Sequence, residues 1–128
     1  KEKKKKKNVK FFFNLDNEQI INLIKKNDLA IGAGGINMIE RLYFNLPSLV
    51  ICVADNQENA SEYLKNQNSI LYLGKSKNVS SHKIKNNLEN IIKNKKKFKI
   101  LKKNTLKYSL SFNLKSPLIK KLNSVLIK

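Results

Sequence analysis

The chain has 128 residues, of which 41% are hydrophobic, and carries a formal net charge of +18. This length suits one domain, and the apolar content favours a folded chain over a disordered one. Arg41 is the only arginine among the basic residues, whereas proteins that read bases or clamp phosphates favour arginine. We interpret the lysine excess, with abundant Asn and Ile, as coding bias toward A and T. The composition therefore argues against nucleic-acid binding, although the charge still tolerates an anionic ligand.

The single cysteine, Cys52, lies within an apolar run. An internal disulfide is excluded, and a core thiol in a reducing compartment, the cytoplasm, is predicted. The sequence has no stretch near the roughly 20 apolar residues of a membrane span, so no stable membrane insertion is expected. Residues 1–8 are predicted to be a basic arm or linker. The missing initial Met fits a fragment or a trimmed domain.

The first elements are predicted from short-range patterns. Val9–Phe13 is a β-prone run, and Asp16 or Asn17 can cap a helix with helically spaced apolar residues. A continuous apolar strand of the buried, parallel type follows at residues 28–32. It runs into Gly32-Ala33-Gly34-Gly35, which we call the glycine turn.

The rest of the chain alternates in the same way. A helix follows the glycine turn and is stopped by Pro47. The later elements are predicted as follows: a strand at 48–53, a polar loop at 54–57, a helix through Ala60, Tyr63 and Leu64, a strand at 70–74, a helix capped by Ser80 or Ser81, a solvated helix end or linker at 93–103, and an amphipathic segment from Ser116-Pro117.

This order predicts an α/β, Rossmann-like domain, in which a parallel sheet of four strands has helices on both faces. We assign residues 9–105 to this domain and residues 106–128 to a C-terminal extension with an amphipathic helix.

The glycine turn is the first candidate binding feature, because ligands of open parallel sheets bind outside the carboxyl ends of the strands. Glycines let the backbone approach a diphosphate, and the N–H groups of a helix N-terminus attract its charge. The pattern is neither GxGxxG nor a Walker loop. A tight turn without a ligand explains the spacing equally well.

The other candidates are polar side chains near that turn. Glu40 can accept hydrogen bonds from ribose hydroxyls, but a capping box with Asn37 as N-cap explains it better from the spacing alone. Asn56 and Gln57 follow the next strand, where they can face a sugar or simply cap a helix. His82 is interpreted as exposed and structural. The sequence contains no metal-ligand cluster, and no cofactor is expected.

Four motifs together resemble one family. They are residues 28–35, Glu40-Arg41, residues 45–48 and residues 54–57. The family is the UDP-sugar hydrolase of pseudaminic acid biosynthesis, which releases UDP from UDP-2,4-diacetamido-2,4,6-trideoxy-β-L-altropyranose. The layout is more distantly similar to the N-acetylglucosaminyl transferase that makes lipid II. The resemblance covers about residues 9–92.

The resemblance implies the C-terminal lobe of a glycosyltransferase-B architecture, with a UDP-sugar as substrate and the N-terminal lobe of the same enzyme as partner. It implies that Glu40 holds the ribose and that Asn56 and Gln57 face the sugar or the diphosphate. The diphosphate would be bound by backbone N–H groups of four consecutive residues: Gly34, Gly35, Ile36 and Asn37.

The chain departs from the family in two places. Ile36 and Asn37 stand where relatives have Ser or Thr, which weakens the phosphate contact. The family's general base is a His of the N-terminal lobe, which His82 does not match. We therefore expect the chain alone to bind UDP weakly and to catalyse little. A sugar transferase lobe and, in another class, a basic nucleic-acid-binding domain are the alternatives.

Overall fold

The computed structural model describes residues 8–112. The elements in chain order are α1 (Asn17–Lys26), β1 (Ala30–Ala33), α2 (Ile36–Tyr43), β2 (Ser48–Cys52), α3 (Glu58–Asn66), β3 (Leu71–Lys75), α4 (Ser81–Lys93) and α5 (Lys95–Phe112). Short 3₁₀ turns cover Asp55–Gln57 before α3 and Ser76–Asn78 after β3.

Local side-chain chemistry explains several boundaries. Asp16 caps α1 in a reciprocal capping box, in which its carboxylate accepts the Gln19 N–H at 2.8 Å and the Gln19 side chain accepts the Asp16 N–H at 3.0 Å. The Ser80 hydroxyl accepts the Lys83 N–H at 3.1 Å and caps α4. Asn45 ends α2 because its φ of 56° is left-handed, a conformation that Asn tolerates. The predicted caps of α1 and α4 are thus confirmed.

The three strands form one parallel sheet in the order β1-β2-β3. Ile31 pairs with Leu49, and Leu49 pairs with Leu71. A bulge between Val50 and Ile51 shifts the register toward the end of β3. The predicted α/β class with a parallel sheet is confirmed, and the architecture is consistent with a Rossmann-like fold.

Helices cover both faces of this sheet. Leu49 and Val50 are neighbours in β2 and point to opposite faces, so they belong to two different apolar clusters. The Val50 cluster joins α2 and α3 to the sheet through Met38, Leu42, Ala60, Leu64 and Ile70. The Leu49 cluster joins α4 to the other face through Leu73 and Ile91. Cys52 is buried, as predicted for a core thiol.

Helix α5 packs along the edge at which the strands begin. The Thr105 hydroxyl donates to the Ser69 carbonyl at 3.2 Å, and the Ser109 hydroxyl donates to the Tyr43 carbonyl at 2.6 Å. Leu101 lies in the Leu49 cluster and Tyr108 in the Val50 cluster, so this one helix contacts both cores.

This corrects the interpretation of residues 93–103 as a solvated helix end or linker, because most of them form the first turns of a packed helix. The apolar spacing of Phe98, Leu101 and Tyr108 fits this helix, but lysines between them hide it. The boundary predicted between residues 105 and 106 falls inside α5. The segment predicted from Ser116, and residues 1–7, lie outside the described range.

The strand predicted at Val9–Phe13 is wrong. These residues have no regular structure, and Phe11 and Phe13 are 76% and 79% exposed. A β-prone run becomes a strand only when a neighbouring strand accepts its hydrogen bonds and a core covers one face. Neither condition is met here within residues 8–112, so the sheet has three strands where four were predicted.

Candidate functional site at the carboxyl edge of the sheet

Three loops meet at the edge where the parallel strands end. The second half of the glycine turn, Gly34 and Gly35, follows β1. The Asp55–Gln57 turn follows β2 and the Ser76–Asn78 turn follows β3. Because β1 and β2 are hydrogen-bonded neighbours, the glycine turn lies beside the loop that carries Asn56 and Gln57. The predicted adjacency of these two segments is therefore observed.

Gly35 makes the turn from strand to helix. Its φ of 81° and ψ of −150° belong to a region that only glycine occupies readily, and it is the N-cap of α2. No side chain caps this helix. Within residues 8–112, the N–H groups of Gly35, Ile36 and Asn37 have no hydrogen-bond acceptor. These unpaired donors and the helix dipole make the start of α2 attractive to an anion.

Gly34 has a different environment from Gly35. Its N–H donates to the Ile51 carbonyl at 3.2 Å and extends the β1–β2 pairing by one residue. That N–H is therefore engaged in the sheet, and the diphosphate contact expected from it is not available in this conformation. The unpaired donors within residues 8–112 are those of the three residues that follow.

The side chain of Gln57 packs directly against both glycines. A β-carbon on Gly34 would lie 3.1 Å from the Gln57 Cβ, and one on Gly35 would lie 3.2 Å from the Gln57 Nε2. The Gln57 Oε1 accepts the Val53 N–H at 3.1 Å, which fixes the orientation of the carboxamide. Gln57 thus lies at the start of α2, and the two glycines provide the space that it occupies.

Glu40 lies one helical turn after Ile36, on the same face of α2. It is exposed, and it makes no ion pair within the described residues. The capping-box alternative is wrong, because Gly35 is the N-cap and Asn37 lies inside the helix. The Glu40 carboxylate therefore does not take part in a capping box, which was the role favoured by its spacing from Asn37.

Arg41 is a buried structural residue that the sequence analysis did not identify. Its guanidinium donates to the Ala33 carbonyl at 2.6 Å and to the Ser48 hydroxyl at 3.1 Å. Burial lowers the pKa of Arg41, and the nearby Glu40 carboxylate partly opposes this. A β-carbon on Gly32 would lie only 2.7 Å from the Arg41 Nη1, so a larger residue at this position would displace the guanidinium. Arg41 thereby holds the end of β1 in place.

Lys75 is a second residue that the sequence analysis missed. Its ammonium group lies 3.0 Å from the Glu58 carboxylate and 3.4 Å from the Asp55 carboxylate. Hydrogen bonds to Glu58 and then to Asp55 raise the pKa of Lys75. The lysine links the end of β3 to the turn that contains the exposed Asn56. In the sequence, only the position of Lys75 at the end of a predicted strand could have indicated this role.

A shallow cleft of about 140 Å³ lies between the ends of β2 and β3. Its lining residues are Cys52, Val53, Ala54, Asp55, Lys75, Ser76 and Lys77. His82 is exposed in the first turn of α4, as predicted for a structural residue. Residues 8–112 contain no group of three or more His, Cys, Asp or Glu side chains placed to hold a metal ion.

Comparisons of the chain with known protein families, with curated proteins and with solved structures yield no match. Function is therefore inferred from the chemistry of the carboxyl edge. That edge combines an uncapped helix start, a carboxylate one turn further on, and an ordered carboxamide between them and the neighbouring strand.

Proposed function

We propose that this chain is the UDP-binding half of a UDP-amino-sugar hydrolase that releases UDP in nonulosonic (pseudaminic) acid biosynthesis. In this proposal it is the C-terminal lobe of a glycosyltransferase-B architecture, acts in the cytoplasm, and works together with an N-terminal lobe. The motif resemblance suggests the substrate, and the arrangement at the start of α2 supports nucleotide binding.

One observation carries the proposal. The uncapped N-terminus of α2 has three unpaired backbone N–H groups, and the Gln57 carboxamide lies 3.2 Å from the position of a β-carbon on Gly35. Backbone donors at a helix start bind phosphate oxygens without requiring a lysine or arginine. An amide side chain at the same place supplies a donor for a phosphate or sugar oxygen.

The proposed roles follow from this geometry. The N–H groups of Gly35, Ile36 and Asn37 bind the diphosphate. The Gly34 N–H does not, because it is used in the sheet, and the role of Gly34 is to leave space for Gln57. Glu40 accepts hydrogen bonds from the ribose hydroxyls, since its carboxylate is exposed and unpaired within the described chain. Asn56 and Gln57 face the sugar or the diphosphate.

In the proposed reaction, water attacks the anomeric carbon of the sugar while the bond to UDP breaks. Negative charge develops on the departing diphosphate, where helix N–H groups stabilise it as it forms. A general base must remove a proton from the water within hydrogen-bond reach. In this proposal the base comes from the N-terminal lobe, so the chain alone binds UDP without rapid turnover.

The test is calorimetric titration of the folded chain with UDP at low and at high salt. We expect saturable one-to-one binding that weakens only modestly with salt, because backbone donors and Glu40 provide part of the contact. Glu40→Ala should weaken UDP binding about tenfold, or about 1.4 kcal/mol. Glu89→Ala removes an exposed carboxylate from α4 and should leave the affinity unchanged. A folded chain that shows no UDP binding would contradict the proposal.

A further inference from the structure

The positive charge is concentrated toward the two ends of the chain, and residues 1–7 hold six lysines and one glutamate. Between residues 8 and 89, nine basic side chains are nearly balanced by eight acidic ones, whereas residues 90–128 contain twelve lysines and no acidic residue. A bias of the coding sequence would spread lysine along the whole chain. The segregation therefore calls for a local explanation.

Helix α5 arranges part of this charge in a line. Lys96, Lys99, Lys103 and Lys107 are all exposed and follow one another at intervals of three or four residues, so they share one face of the helix. We call these four residues the lysine stripe. It extends over about 16 Å at 1.5 Å per residue. Within residues 8–112 none of the four forms an ion pair.

The packing of α5 makes the stripe face outward. Leu101, Thr105 and Tyr108 are buried against the sheet, on the side of the helix opposite to the stripe. Two apolar side chains flank the stripe and are also accessible, with Ile100 48% exposed and Leu106 41% exposed. The outer face of α5 thus combines lysines with aliphatic groups.

We propose that the lysine stripe is a docking surface for an anionic lipid bilayer. A straight row of ammonium groups matches a flat, negatively charged surface, and each lysine near such a surface favours binding about fivefold. Ile100 and Leu106 can enter the headgroup region, where aliphatic side chains are favourable. Phosphates of a polynucleotide offer these aliphatic groups no partner, and within residues 95–109 this face has no arginine or aromatic side chain among its exposed residues.

The contact is peripheral. None of the helices within residues 8–112 has the length and apolarity needed to cross a bilayer. The inner face of α5 is already buried in the protein core, so the helix binds through its outer face without leaving its place. The stripe lies at the edge where the strands begin, opposite the glycine turn, and docking there leaves the proposed nucleotide site open.

The experiment is co-sedimentation of the full chain with vesicles. The chain should bind vesicles of phosphatidylglycerol and phosphatidylcholine, should not bind phosphatidylcholine alone, and should be released by high salt. The triple variant Lys96→Gln, Lys99→Gln, Lys103→Gln should bind the anionic vesicles roughly a hundredfold more weakly. The matched control replaces three lysines at the opposite edge, Lys77, Lys83 and Lys85, by Gln, and should lose less than about threefold.

Three results would overturn the inference. The first is no binding to anionic vesicles, and the second is an equal loss in both triple variants, since general charge would then explain it. The third is displacement of the chain from vesicles by a single-stranded oligonucleotide at equal phosphate concentration, together with oligonucleotide binding that Ile100→Gln does not change. Vesicle binding should fall about threefold or more in Ile100→Gln if the aliphatic contact is real. The UDP titration is a separate readout, so either proposal can fail alone.

Discussion

Replacing Gly35 by alanine changes the backbone at the start of α2. The φ of 81° and ψ of −150° are strained for any residue with a β-carbon, at a cost of about 1–3 kcal/mol. The new methyl group would also lie 3.2 Å from the Gln57 Nε2, so that side chain has to move. Alanine restricts the unfolded chain and recovers about 0.4–1 kcal/mol. We expect a net loss of about 1–2 kcal/mol in the free energy of unfolding.

The same substitution should weaken UDP binding by about tenfold or more, because relief of the strain reorients the N–H groups of residues 35–37. Urea unfolding followed by circular dichroism measures the first effect and calorimetric titration measures the second. Gly74→Ala is the matched control. Gly74 has a φ of 115°, and its nearest neighbour, the Lys83 Nζ, would be 3.8 Å from the new carbon. This variant should lose comparable stability and keep the UDP affinity.

Two outcomes would refute this reasoning. If Gly35→Ala is as stable as the wild type, the strained conformation is not needed to begin α2. If Gly74→Ala weakens UDP binding as much as Gly35→Ala does, the loss reflects general destabilisation and not the helix start.

Gln57→Ala should weaken UDP binding about tenfold in calorimetry, whereas the exposed Gln67→Ala should have no effect; equal affinities in both variants would argue against a ligand contact by Gln57. Arg41→Met should reduce the free energy of unfolding in urea by about 2–3 kcal/mol, because the Ala33 carbonyl loses a buried, charged donor at 2.6 Å; an unchanged midpoint would contradict this role. Burial raises the pKa of Tyr108 to about 12, so folding favours the neutral phenol. The stabilisation should be full below about pH 10, the pKa of an exposed phenol, and should be lost as the pH rises through the folded-state pKa. In urea unfolding at a series of pH values, the free energy of unfolding of Tyr108→Phe should fall less with rising pH than that of the wild type. An equal fall in both proteins would refute this.

Local patterns were sufficient for most of the architecture. Neighbours within a few residues decide the features that were predicted correctly. These are the apolar runs that form β1, β2 and β3, the capping residues Asp16 and Ser80, and the end of α2 near Pro47. Parallel strands joined by helices then require the carboxyl ends to meet at one edge. This is why the adjacency of the glycine turn and Gln57 was predictable.

Local patterns failed where a distant partner decides the outcome. Val9–Phe13 has strand-forming residues, but no strand or core receives it within the described chain. The lysines of residues 93–103 suggested a solvated segment, although Leu101 packs onto the sheet. The role of Arg41 depends on the Ala33 carbonyl, eight residues away along the chain and adjacent in space.

The sequence by itself determined the order of the strands and helices from α1 to α4, the glycine turn at the end of β1, and the edge at which the candidate ligand-binding residues gather. Backbone propensity and apolar periodicity act over a few residues, so their effects can be predicted from the sequence. Only the tertiary structure decided which polar groups remain unpaired. It assigned the Gly34 N–H to Ile51 and the space beside the glycines to Gln57, and it turned the lysine stripe outward. The physical reason is that hydrogen-bond pairing and burial depend on residues that folding brings together from distant parts of the chain.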